Sequence, residues 1–340
     1  MNKDYWKIGE FKGLDNKHPP EALTTFSKGV GSQSNRTGAS YASVATNIDF
    51  TTSGFRRRQG FSLSVAGSFH SLWSNGKKNL CVKDGYLCLF DDSLNFTELI
   101  PASEREFQYA DTGAGIYLSD GQTALVVHED AEVIGRAGHY QIFNSTLHET
   151  GLEYDAMPAG DVLAWMFGRL FVSNGVGIYY SRAYKPNEFR LSDDYLDMPD
   201  VTMLAPVPDG IYIGTEDKVW FMSGGNPKAP AATRIVSDTG AYKGTAKIVS
   251  GKFFRQGLPG EVVIWDGPRG KVVGSGSGTV EFLTEDFVGY PDAVAGASLV
   301  REKNGEIHHL TVLRNPSTEG SNMRTTDTAE AEVRRNGIII

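Results

Sequence analysis

Apolar positions along this chain come in short runs, five to six residues long, that recur in pairs around a turn. Leu80–Phe90, Ile116–Val127, Leu170–Tyr180, Ile211–Phe221 and Val262–Val273 share one layout. A β-branched or aromatic run ends in a turn built on Gly, Asp or Asn, and a second such run follows. The copies recur roughly every 35–55 residues, the spacing of propeller blades and related β-arrays. Several runs alternate apolar with polar positions, as in Arg182-Ala-Tyr184 and Lys218-Val-Trp-Phe221, which predicts strands with one buried face. The pattern nowhere sustains a helical period.

These runs organise the chain. Residues 1–45 are rich in Gly, Ser, Asn and Pro and read as an extended arm. The body spans 46–315. It opens with a hairpin over 46–62 and continues in about six units, 67–103, 104–140, 160–199, 200–239, 240–284 and 285–315, with a polar loop at 141–159. The last unit is short of strands, and the 46–62 hairpin is its expected partner. Residues 316–340 form a second arm ending in the β-branched Ile338-Ile339-Ile340. That run is expected to pair with a sheet edge, of this chain or of a neighbouring subunit. The fold class is therefore all-β, a β-propeller of about five to seven blades with six favoured.

Composition narrows the chemistry. With 340 residues, 39 of them Gly, and 40% hydrophobic content, the chain suits a turn-rich globular protein. The formal net charge of −8 and the absence of an extended basic patch argue against sequence-specific nucleic-acid binding. No apolar run is long enough to span a membrane and no signal peptide is visible, so the expectation is a protein assembled in a cytoplasm. The two cysteines, Cys81 and Cys88, are expected near the open end of one hairpin as reduced core thiols.

Candidate catalytic groups are sparse. The seven histidines are scattered, and the adjacent His308 and His309 point to opposite faces of a strand. Carboxylates cluster at Asp193, Asp194, Asp197 and Asp200 and again at Glu216 and Asp217. A glycosidase needs two such groups facing a sugar, but Asp at turns is a conformational choice as well. Trp73, Trp165, Trp220 and Trp265 lie in the repeat strands and read as core rather than as sugar platforms. No metal or cofactor motif is present, and no enzyme is expected. The alternative of a carbohydrate-binding or glycan-cleaving propeller rests on the carboxylates and tryptophans alone.

One segment is more specific. Asn47-Ile-Asp-Phe50, Gly54-Phe-Arg-Arg-Arg-Gln-Gly-Phe61 and Phe69-His-Ser-Leu-Trp73, with Gly13-Leu-Asp-Asn16 before and Leu204–Thr215 after, resemble the tail-hub or nozzle-like propeller proteins of tailed bacteriophages. The resemblance implies a virion structural protein without a catalytic centre. It implies self-assembly into a ring, with a hexamer favoured, around the channel through which DNA leaves. It further implies portal, adaptor or other tail proteins as partners, with the DNA passing unbound by sequence. Arg56, Arg57 and Arg58 are then expected to make assembly contacts, together with Val333, Ile338, Ile339 and Ile340 of the C-terminal arm.

Overall fold

The computed structural model describes residues 63–128 and 152–314, apart from 230–232, 255–257, 287 and 304–305. It also describes Lys17 and the strand segments 10–14, 39–42, 48–51, 54–57, 140–142, 147–149, 334–335 and 338–339. Among these residues there is no α-helix, only a single 3₁₀ turn at Gly251–Phe253. The fold is all-β and of the β-propeller class. Six sheets of four or more strands follow one another along the chain.

The first five sheets are antiparallel meanders. The first holds Phe69–Ser74, Asn79–Lys83, Tyr86–Phe90 and Phe96–Pro101. The second holds Gln108–Asp111, Gly115–Ser119, Ala124–His128 and Tyr140–Ile142. In the third, Val162–Met166, Arg169–Ser173, Ile178–Arg182 and Lys185–Phe189 run in order, and Tyr195–Leu196 also pairs with Ile178–Arg182. The fourth holds Val201–Val207, Gly210–Thr215, Val219–Ser223 and Thr233–Ser237. The fifth holds Lys247–Ser250, Glu261–Gly267, Gly270–Gly274 and Val280–Phe282.

Each repeated sequence phrase is the central hairpin of one of these sheets. In the first sheet, Asp84 (φ 51°) and Gly85 (φ 85°) make the type I′ turn whose twist matches that of the flanking strands.

The sixth sheet departs from expectation. Ala295–Lys303 and Glu306–Arg314 form a long hairpin in unbroken register from Ala295↔Arg314 to Lys303↔Glu306. Its next strand is not the N-terminal hairpin. Ile48–Thr51 and Gly54–Arg57 pair with one another as a two-stranded sheet. Instead Ile338–Ile339 adds in parallel to Glu306–Arg314, with Ile339 opposite His308, and Arg334–Arg335 lies outside it. A β-branched run and an unfilled edge thus satisfy each other's backbone groups within one chain.

The polar stretch 141–159 also holds strands. Leu147–Glu149 pairs with Leu152–Tyr154, and Tyr140–Ile142 extends the second sheet.

The chain forms two compact units, Phe61–Pro206 with Met222–Thr233, and Met1–Gly60 with Val207–Phe221 and Arg234–Ile340. In the former unit, Leu80, Val82 and Leu87 of the first sheet meet Ile116, Leu118 and Leu125 of the second. On its other face the second sheet sets Tyr117 and Val126 against Leu163, Leu170 and Val172 of the third. Strand Gly115–Ser119 is therefore buried along its whole length. Inner strands packed on both faces, such as Gly115–Ser119 and Gly270–Gly274, have no polar side to alternate with, whereas Lys218-Val-Trp-Phe221 keeps the expected alternation. In the other unit, Val262, Ile264 and Val273 of the fifth sheet form the core with Leu283 and Val288, and Val300 of the sixth sheet packs against it.

Candidate functional site

The fifth sheet carries a charged pair inside this core. Asp266 and Lys271 are direct cross-strand partners in its central hairpin, and both side chains are out of contact with solvent. The Lys271 ammonium donates to Asp266 Oδ1 at 2.9 Å and Oδ2 at 3.1 Å, to His309 Nδ1 at 3.0 Å and to Thr311 Oγ1 at 2.9 Å. The Thr311 hydroxyl in turn donates to Asp266 Oδ2 at 2.6 Å, and Tyr290 donates to Oδ1 at 2.9 Å. Thr311 and His309 both come from the sixth-sheet strand Glu306–Arg314. The three ammonium hydrogens and both carboxylate oxygens are thereby engaged, the condition under which a buried ion pair is tolerated.

Burial alone would raise the Asp266 carboxyl. The adjoining Lys271 charge and the Thr311 hydroxyl outweigh it and hold the group below the ordinary carboxylate range. For His309, burial and then the Lys271 charge push the pKa down to about 3. Its ring is neutral at neutral pH, with Nδ1 accepting from Lys271 and the proton on Nε2. The hydrogen bonds to His309 and Thr311 make this cluster a clasp between two sheets.

A second distinctive place lies in the other unit, at the two ends of the third sheet. Consecutive turns of a meander fall at alternate ends. The Phe167-Gly168 turn and the Ala183-Tyr184 turn therefore share one end, and the backbone N–H of Tyr184 donates to the Gly168 carbonyl at 2.5 Å. Phe167 (φ 46°) and Tyr184 (φ 60°) both adopt the left-handed conformation that bulky side chains avoid. Tyr184 is 80% and Phe167 43% exposed. Glycines seat both rings: a Cβ on Gly168 would come within 2.7 Å of the Tyr184 ring, and one on Gly225 within 2.6 Å of Phe167. Arg169, Arg182 and Lys185 flank these turns in sequence, with Arg169 stacked over Tyr180 and donating to the Ser181 carbonyl, and Arg182 stacked over Tyr154. Glu188 meets Arg182 at 3.1 Å and Lys185 at 3.7 Å.

At the opposite end of the same sheet the Asn174-Gly175 turn presents Val176, 71% exposed. Exposed Asp161, Asp197 and Asp200 lie with it. Asp161 donates its N–H to Ser173, and Asp200, itself at φ 54°, donates its N–H to Gly175.

The residues expected to make assembly contacts are placed only in part. Arg56 and Arg57 lie in a strand opposite Asp49 and Ile48. Ile338 and Ile339 lie in the strand added to the sixth sheet. Arg58, Val333 and Ile340 fall outside the described residues. Of the carboxylates weighed for glycosidase chemistry, Asp193 pairs with Arg190 and Asp194 with Lys228. Cys81 and Cys88 are free, buried and directly opposite one another in mid-hairpin rather than at its open end. His308 and His309 are both fully buried, and Trp265 is entirely core.

Sequence reasoning missed the Asp266–Lys271 pair, which stands in the sequence as a polar residue at each side of a Gly-Pro-Arg-Gly turn. It also placed Tyr184 in a strand. The available signal was Phe167-Gly168, a two-residue turn carrying Phe where Asn or Asp belongs.

No family model and no curated protein matches the chain. Solved structures are similar to it at low identity. Apo AztD from Citrobacter koseri is 12% identical over 75% of this chain and 68% of its own, with a TM-score of 0.40. A Lactobacillus plantarum protein is 12% identical over 84% and 91%, at 0.42. The AfRom2 CNH domain is 9% identical over 80% and 91%, at 0.43. Among the described residues no helix is long and apolar enough to cross a membrane.

Proposed function

We propose that this chain is a non-enzymatic structural protein of a bacteriophage virion, a tail-hub or nozzle component that assembles as a ring around the DNA exit channel. The observation that carries this reading is the segment Asn47–Trp73. Its Asn-x-Asp and Gly-x-Arg-Arg-Arg-x-Gly-Phe phrases resemble the opening of such proteins. In the structure the first part of this segment is a self-contained hairpin, Ile48–Thr51 with Gly54–Arg57, ahead of the six sheets. A net charge of −8 suits a wall past which DNA slides without adhering. The partners are further copies of the chain and, along the tail axis, portal, adaptor or other tail proteins.

The test is electron microscopy and light scattering on the purified protein, alone and with the neighbouring tail proteins. Closed rings, six-membered in the favoured case, and no glycan turnover are expected. A protein that stays monomeric alone and with those neighbours would overturn the reading.

A further inference from the structure

We infer that the Asp266–Lys271 pair is a self-modification site, at which the folded chain condenses Lys271 Nζ with Asp266 Cγ into an intramolecular amide. The ion pair described above is the reactant, and the reaction follows folding. Nζ lies 2.9 Å from Oδ1 and 3.1 Å from Oδ2, which sets it within about 3.5 Å of Cγ, the separation of a near-attack arrangement. Both side chains are shut off from solvent, so bulk water does not compete for the carboxyl carbon.

The neighbours supply each proton and charge the reaction moves. Thr311 accepts from Nζ at 2.9 Å and donates to Oδ2 at 2.6 Å, so its hydroxyl passes a proton from the ammonium to the carboxylate. That transfer turns the ion pair into an amine and a carboxylic acid. Burial, which pushes the Lys271 ammonium down, favours it. The amine lone pair then attacks Cγ. The displaced carbonyl electrons collect on Oδ1, where the Tyr290 hydroxyl donates at 2.9 Å. Burial raises Tyr290 well above its ordinary range, so it keeps its proton. Thr311 relays a second proton from Nζ to Oδ2, the Cγ–Oδ2 bond breaks, and water leaves as the carbonyl re-forms on Oδ1. The third hydrogen stays on the nitrogen, facing His309 Nδ1 at 3.0 Å. Ammonium plus carboxylate thus gives amide plus water.

The partners of the pair match the product as well as the reactant. A neutral imidazole adds no counter-charge to an ammonium, but it accepts from an amide N–H. The Tyr290 hydroxyl likewise suits an amide carbonyl. Condensation removes both buried charges, whose desolvation an ion pair at best offsets.

Intact mass and tryptic mapping of the native full chain, sampled over days after purification, test the inference. The wild type is expected to become lighter than its sequence mass by one water. The peptides on either side of the Arg269–Gly270 cleavage are expected to stay joined through Asp266 and Lys271. The joined peptides are decisive, because Asp266-Gly267 could also lose a water by closing a succinimide on its own backbone, which joins nothing. Lys271→Arg keeps the charge but has no amine to condense, and no joined species is expected from it. Thr311→Val is expected to slow the joining at least about a hundredfold, and Thr311→Ser to restore it. A folded wild type that keeps its full mass, or one that loses water without joined peptides, would overturn the inference, and so would a joined species from Lys271→Arg. Equal rates for Thr311→Val and wild type would overturn the proton relay.

Discussion

Lys271 shows what one side chain demands of its surroundings. Replacing Asp266 with Ala leaves a buried ammonium without its counter-charge, and a loss of about 3–5 kcal/mol is expected in denaturant unfolding. Replacing the pair together, as Asp266→Leu with Lys271→Met, should cost far less, because both desolvation penalties vanish with the charges. The cluster also sets an acid limit. His309 stays neutral in the fold down to about pH 3, whereas an unfolded histidine takes up its proton near pH 6.5. Between those values the unfolded chain binds more protons, so stability falls as the pH is lowered, by up to about 1.4 kcal/mol per unit for this one group. Asp266, held below the ordinary range, adds its own loss as the pH drops past about 4. Urea melts across this range should be steeper for wild type than for His309→Gln. At the other extreme, burial raises the Cys81 thiol to about 11. Neither buried cysteine should react with iodoacetamide until the chain unfolds, a point that intact mass can decide.

The hairpin is the element on which the fold is written, and its glycines separate two physical costs. Gly85 sits at φ 85° with open space around it, so Gly85→Ala meets only the left-handed penalty, about 1 kcal/mol. Gly270 sits at φ 106°, and a Cβ there would overlap Thr284 Oγ1 against the core. Gly270→Ala should therefore lower the melting temperature clearly further than Gly85→Ala.

The hairpins, their turns and the six-unit count were legible because each is a local matter of alternation and turn chemistry. Strand order at the sixth sheet was not, since Ile338–Ile339 and the 46–62 hairpin are both chemically fit for an open edge and local pattern does not choose between them. The charged pair was invisible for a related reason. Asp266 and Lys271 look like ordinary turn-flanking polar residues until His309 and Thr311, about forty positions on, arrive beside them. The left-handed state of Tyr184 likewise follows from a turn whose residues carry no turn signature.

At the scale of the whole molecule, the C-terminal strand should matter to both folding and assembly. Deleting residues 316–340 uncovers the edge of Glu306–Arg314, and a rise in aggregation or a loss of ring formation is expected by size-exclusion chromatography with light scattering. An unchanged elution profile would remove the arm from the assembly.

The Asp266–Lys271 clasp has a wider consequence, concerning recognition between sheets during folding. A chain of look-alike hairpins offers many nearly equivalent ways to stack one sheet on another, and misassembly is the characteristic failure of such chains. Hydrocarbon faces discriminate poorly among those arrangements. A lysine that must find His309 and Thr311, and a carboxylate that must find Tyr290, accept only one. The fifth sheet thus carries a key for the sixth, and an apolar replacement of the pair should refold to a mixture of species even where its stability is intact.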